Sequence, residues 1–296
     1  MKRNGGALRG SSWPPEAWQL LVSSLGLLLH TSVFLSLNFS MVVFVSYILV
    51  GATPNAFLLT AAFFITLSVY NMNRVFDKDE DAINFGERSR IFRGHEKAWL
   101  FVSSASLAVA IALGASVSFS SLLVLLIPPV SGAFYSVRLR GLPRLKDLTG
   151  VKSLVVASGW ALTSFGLVVS GAGGMSVAAL LVAVFVFIKL LVNTVLFDIR
   201  DMNGDDVVGI KTLPLSLGPA RTRALLMLLN LALAVWLLAS YALGYFQTYL
   251  LPLAFSVIYG FVFTYALSRG GSASRHWFDV VVDGEWLPLG LLIMLT

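Results

Sequence analysis

The sequence predicts an all-α fold, a polytopic membrane bundle of about nine transmembrane helices, and three observations carry that prediction. First, 57% of the 296 residues are hydrophobic and only 12% are charged, about half the charged share of an average soluble domain. Mean hydropathy is +0.84. Second, the apolar residues fall in runs long enough to cross a hydrocarbon core, which takes about 20 residues. Third, Lys and Arg fall in every second connection between those runs. A soluble domain is excluded, because so apolar a chain would expose large apolar patches to water. With no cysteine, a disulfide framework and a Cys-ligated metal are excluded too.

The runs cover about 31–52, 55–76, 97–116, 119–137, 148–169, 175–197, 222–241 and 244–267, with a last one from about 279. That last run is the least regular, since it carries Asp279, Asp283 and Glu285. Before the first run, Pro14 to His30 is amphipathic enough to lie along the interface. Lys2, Arg3 and Arg9 precede it without a small-residue cleavage site, so the segment reads as retained. The chain is expected to form a single domain, 1–296, with residues 1–30 as tail and interfacial helix.

Basic residues separate runs 2 and 3 (Lys78, Arg88, Arg90, Arg93, Lys97), 4 and 5 (Arg138, Arg140, Arg144, Lys146), 6 and 7 (Arg200, Lys211, Arg221, Arg223), and 8 and 9 (Arg269, Arg275). The alternate connections, near Gly51–Asn55, Ser116–Ser120, Gly171–Met175 and Leu243–Gln247, contain none. Such alternation follows the positive-inside rule. It places the protein in a cell membrane as a multi-pass chain, with the N-terminus and every charged loop in the cytoplasm. The net charge of +6 therefore reads as topology and not as a nucleic-acid surface.

Acidic residues say more. Of fifteen, eight lie in two windows: Asp77, Asp79, Glu80 and Asp81 close run 2, and Asp198, Asp201, Asp205 and Asp206 close run 6. Four runs separate the windows, so both face one side of the membrane. At about 100° per residue, Asn73, Asp77 and Asp81 share a helix face. Asp201 and Asp205 repeat that spacing, with Asp198 on a neighbouring line. Asp79, Glu80 and Asp206 point elsewhere. Solvated helix ends would also be acidic, but two matched windows are a stronger pattern than one. Crowded carboxylates repel unless a cation neutralises them, and oxygen ligands favour a hard ion. Mg2+ typically takes one or two carboxylates together with phosphate oxygens. Over an apolar bundle, that combination describes a site for a polyprenyl diphosphate.

The residues also carry a resemblance. NRVFDKDED, from Asn73 to Asp81, fits the NxxxDxxxD motif of the UbiA-type intramembrane prenyltransferases. Asp201 to Asp205, within DIRDMNGDDVVGIKTLP, fits their second DxxxD motif and the Gly-Ile-Lys that follows it. Tyr135 and Ser136, ahead of Arg138 to Lys146, look like the family's loop between helices 4 and 5. The resemblance covers essentially the whole chain. It implies a UbiA prenyltransferase-like helix bundle open laterally to lipid, and Mg2+-dependent transfer of a prenyl group to an acceptor. One departure stands out: after Asn84 and Arg88 the chain reads SRIFRG where many members have an RPxPSG-like turn, so no quinone, chlorophyll or haem branch is assigned.

On this reading Asn73, Asp77 and Asp81 hold one Mg2+, and Asp201 and Asp205, with Asp198, hold another. Asp77 and Asp201 are the candidate catalytic residues. Tyr135, Arg138, Lys146 and Lys211 are candidates to contact the diphosphate, although Arg138 and Lys146 serve equally as topology signals. Lys189 is the one basic residue deep inside a run. A charge there marks a functional candidate by default, and it joins the substrate-binding list, with pairing to some partner as the alternative. Asn193 lies one turn later on the same face. Expected partners are a polyprenyl diphosphate, a hydrophobic or amphipathic acceptor (an aromatic ring or a glycerol-type hydroxyl, as in quinone or ether-lipid biosynthesis) and membrane lipid. A cation-coupled transporter is the alternative from another class, although transporters place ion ligands near the midplane. A family member that binds lipid without catalysis is the third reading.

Overall fold

The computed structural model describes residues 26, 28–76, 93–136, 150–268 and 275–296, with side chains at 133–136 and 275–277 left aside. Asp77, Asp81, Arg138 and Lys146, the side chain of Tyr135 and most of the interfacial stretch from Pro14 lie outside the described set.

Every described element is a helix. Lipid offers no partner for backbone N–H and C=O groups, so a segment within it must satisfy them internally. In chain order the elements are α1 (Val33–Val50), α2 (Ala56–Phe76), α3 (Glu96–Val117), α4 (Phe119–Leu125) and α5 (Ile127–Ser136). There follow α6 (Val151–Ala172), α7 (Val177–Val208), α8 (Leu213–Leu217), α9 (Pro219–Ala242), α10 (Leu250–Leu267), α11 (Arg275–Asp283) and α12 (Trp286–Met294). Seven of the described helices are long and apolar enough to cross a membrane: α1, α2, α3, α6, α7, α9 and α10.

The fourth and ninth expected runs are each split in two. Pro128 and Pro129 lack the N–H that would bond back to Val124 and Leu125, which separates α4 from α5 at Leu126. A turn at Gly284 and Glu285 divides α11 from α12. The sixth run proves longer than its apolar portion. α7 continues through the acidic motif and stops where Gly209, at φ 73°, takes the left-handed conformation and donates to the carbonyls of Asp205 and Asp206.

α1 is the hub, packing on α2, α6, α7 and α12. Lipid tails are as apolar as leucine, so helices here associate through close packing and interhelical hydrogen bonds. Both kinds of contact are present. Tyr47 Oη on α1 donates to the Leu167 carbonyl of α6 at 2.9 Å, and Ser46 meets Ser164 at 3.2 Å. Gly171 leaves room for that tyrosine, since a Cβ there would lie 1.9 Å from Tyr47 Oη. α3 turns a small-residue stripe inward, Ser103, Ser106, Ala110 and Gly114, and packs along α2. Gly171→Val is expected to lower thermal stability by about 1–3 kcal/mol through overpacking; unchanged melting in detergent would contradict this packing.

Candidate diphosphate and metal site

A cavity of about 320 Å3 opens among α1, α2, α6, α7, α11 and α12. Helical periodicity builds its walls. On α6, Lys152, Val156 and Trp160 follow one another at i, i+4 and i+8, and on α7 Leu190, Thr194, Phe197 and Asp201 descend the matching face. One end is therefore charged and the other apolar. The apolar end is walled by Tyr70 and Trp160, stacked 5.5 Å apart, with Phe39 edge-on to Trp160 at 4.6 Å.

The charged end gathers Asn73 and Arg74 from the last turn of α2, Lys152 and Ser153 from the first turn of α6, Asp198, Arg200 and Asp201 from α7, and Asp279 and Asp283 from α11. Residues 125 positions apart in the chain, Asn73 and Asp198, thus border one space. α5 comes close beside it: a Cβ on Gly132 would stand 4.0 Å from Asn73 Oδ1. Arg74 is buried and donates to the His30 carbonyl.

The carboxylates of the second motif are held by the chain's own cations. Lys152 Nζ lies 3.2 Å from Asp198 Oδ1 and 3.4 Å from Asp205 Oδ2, and Ser153 Oγ donates to Asp198 Oδ2. Arg200 grips Asp201 with two bonds, Nε to Oδ1 at 2.9 Å and Nη2 to Oδ2 at 2.8 Å. Its Nη1 donates to Asp279. α7 has 32 residues, about 48 Å at the usual rise, against a hydrocarbon core of roughly 30 Å. Its last turns therefore stand beyond the spanning portion. There burial pushes the Asp205 carboxyl up to about 6, opposed by Lys152. A buried carboxylate of that kind is stabilised by additional positive charge nearby.

Asp205 does not border the cavity and joins the cluster through Lys152. Asp206 is exposed, off this face, and Lys211 is exposed in the turn after α7, away from the cavity. Lys189 is buried behind the wall and paired with Glu285. It also donates to the Ser256 carbonyl at 3.1 Å. Asn193, which does border the cavity, donates to the same Glu285 at 3.0 Å.

Among the described residues, no three Asp, Glu or His side chains form a complete metal shell. The donor set nonetheless suits a hard cation that keeps water or phosphate oxygens, because Asp198 and Asp201 offer only oxygen. Each carboxylate oxygen retains a lone pair beyond its present bond.

Sequence reasoning missed Lys152, Trp160, Tyr70 and Glu285. Lys152, Val156 and Trp160 at helical spacing were a readable signal. So was Glu285, an acid inside an apolar run that had no partner while Lys189 also lacked one.

The model of the UbiA prenyltransferase family matches residues 39–279. No curated protein sequence matches the chain. Among solved structures, a UbiA homolog from Archaeoglobus fulgidus bound to DMAPP and Mg2+ superposes with a TM-score of 0.66 at 18% identity, covering 91% of this chain and 98% of that one. The apo structure of a UbiA homolog from Aeropyrum pernix K1 gives 0.66 at 18%, covering 89% and 98%. A digeranylgeranylglyceryl phosphate synthase gives 0.60 at 13%, covering 93% and 99%. At these identities the likeness is one of fold.

Proposed function

Because the chain belongs to the UbiA prenyltransferase family, we propose that it moves a polyprenyl group from its diphosphate to an aromatic or glycerol-type acceptor within the membrane. One observation carries the reading: a single cavity joins Asn73, Asp198 and Asp201 at a charged end to an aromatic-walled apolar end. The proposal assigns Asn73, Asp77 and Asp81 to one Mg2+ and Asp198, Asp201 and Asp205 to another. When bound, Mg2+ supplies positive charge that neutralises the diphosphate and favours its departure. Structures of a UbiA homolog from Archaeoglobus fulgidus bound to DMAPP and Mg2+ and to GPP and Mg2+ support a prenyl diphosphate bound together with Mg2+.

The chain's own residues do the rest. Lys152 sits beside the carboxylates at the cavity's edge and takes a phosphate oxygen when the diphosphate arrives. Tyr135, Arg138 and Lys146 are further candidates to contact the phosphates, whereas Lys211, exposed and away from the cavity, is not. Tyr70, Trp160 and Phe39 line the channel for the prenyl chain and keep water from the carbon that is to be attacked. Lys189 lies behind the wall and bears on the site only through Glu285, which accepts from the cavity-lining Asn193.

The reading is tested with purified protein, Mg2+ and a labelled prenyl diphosphate, offered in parallel to hydroxylated aromatic and glycerol-based acceptors. One acceptor class should yield prenylated product, and a chelator should abolish it. No product with any acceptor, in protein that binds the diphosphate, would favour a non-catalytic lipid-binding role.

Orientation is tested separately. The chain has no cysteine, so single cysteines report accessibility without background. Arg93 and Lys211 are exposed at one end of the bundle, Met175 and Leu243 at the other. Cysteines at the first two positions should label from the cytoplasm and those at the second two from outside. Labelling of Arg93→Cys and Lys211→Cys from opposite sides would rule out a shared site.

A further inference from the structure

Arg200 belongs to neither acidic motif, yet its side chain is held on several sides at the charged end. Its guanidinium lies 4.6 Å from the ring of Phe197 and 5.4 Å from that of Phe278. Its edge donates to both oxygens of Asp201 and to Asp279. The side chains of Arg200 and Asp201 keep only 12% and 13% of their surface exposed. A planar fork held by two rings and two carboxylates has little freedom left.

We infer that Arg200 is a positioning residue: anchored on α11 through Phe278 and Asp279, it fixes the carboxylate of Asp201 at the cavity edge, so that only the remaining lone pairs of Asp201 face an incoming metal–diphosphate. This rests on the proposed function for its catalytic consequence. It makes α11 a working part of the site, although that helix carries neither motif. The bidentate bonds set the direction of the carboxylate, which a point charge cannot do. They also place a positive charge beside any bound metal, so Arg200 weakens metal binding while improving its geometry. These two effects are separable by substitution.

The test uses the full-length purified protein, with Mn2+ alone as the metal probe, followed by its EPR signal, and prenyl transfer measured in parallel. Arg200→Ala removes the charge and the fork together. Mn2+ should bind on the order of tenfold more tightly, as expected for loss of a unit charge a few Å away. The kcat should fall about 10–100-fold, the range seen when a group supporting a metal ligand is lost. Arg200→Lys returns the charge without the fork. Its Mn2+ affinity should lie near wild type while kcat stays low.

Recovery of wild-type kcat in Arg200→Lys would reduce Arg200 to a counter-charge and overturn the inference. So would unchanged kcat in Arg200→Ala, or weaker Mn2+ binding in either variant, since a collapsed or structural site loses metal affinity and turnover together. If Arg200→Ala does not fold, Arg200→Lys decides alone, by low kcat at unchanged Mn2+ affinity. A wild type that transfers no prenyl group contradicts the function instead. The Mn2+ affinities still decide whether Arg200 stands beside the metal, because weakening in Arg200→Ala would deny it.

Discussion

Asp201→Asn should lower prenyl transfer by about two to three orders of magnitude, the loss seen when one group stabilising transition-state charge is removed. The substitution keeps size and some hydrogen bonding but takes away a charged metal ligand. Asp77→Asn should cost as much. If both acidic motifs flank one diphosphate, the double variant should lose far less than the product of the two losses, because groups that act as a unit are not additive. Asp206→Asn and Asp79→Asn are the controls. Asp206 is exposed and off the cavity, so its variant should stay near wild-type activity. Full activity in Asp201→Asn would end the two-motif mechanism. Equal losses from Asp77→Asn and Asp79→Asn would show that the helical-face assignment is wrong.

Lys189→Met should be the most damaging change to stability. It leaves Glu285, 2% exposed, as a buried carboxylate without its counter-charge, and breaking such a pair typically costs about 3–5 kcal/mol. The cost extends to the site, since Asn193 and Glu285 are bonded at 3.0 Å and Asn193 borders the cavity. Lys189→Met combined with Glu285→Gln should recover most of the loss, because the remaining amide still accepts from Asn193 and carries no charge to neutralise. Melting in detergent by differential scanning fluorimetry measures both. A single variant as stable as wild type, or a double variant no better than the single, would contradict the pairing.

Much of this architecture is legible in the sequence. Apolar run length marked each long helix, because a span must be about 20 residues and must bond its own backbone. The alternation of basic loops put the two acidic windows on one side, and Asn73, Asp198 and Asp201 do border one cavity. What stayed hidden has physical causes. The break at Leu126 leaves hydropathy unchanged, and only the Pro128–Pro129 pair announced it; the break at Gly284 falls between Asp283 and Glu285, acids that an apolar-run reading absorbs into one span. α7 extends past its apolar run because DIRDMNGDD can continue a helix outside lipid, where hydropathy no longer reports on backbone structure. Partners across the bundle were harder still. Arg200 read as one more loop charge and Lys152 drew no notice inside the fifth run, since nothing in local spacing reveals which carboxylate a cation will meet. Lys189 and Glu285 were each conspicuous alone; matching them required knowing that α7 lies against the junction of α11 and α12.

On the proposed function, this cavity cleaves a prenyl diphosphate and delivers the prenyl group to an acceptor. The most direct measurement follows pyrophosphate and prenylated product together in one reaction of the purified protein with Mg2+. Pyrophosphate and product should appear in equal amounts, both should stop when the metal is chelated, and both should be lost in Asp201→Asn. Cation flux into proteoliposomes, with neither pyrophosphate nor prenylated product formed, would rule out prenyl transfer and assign the chain to transport.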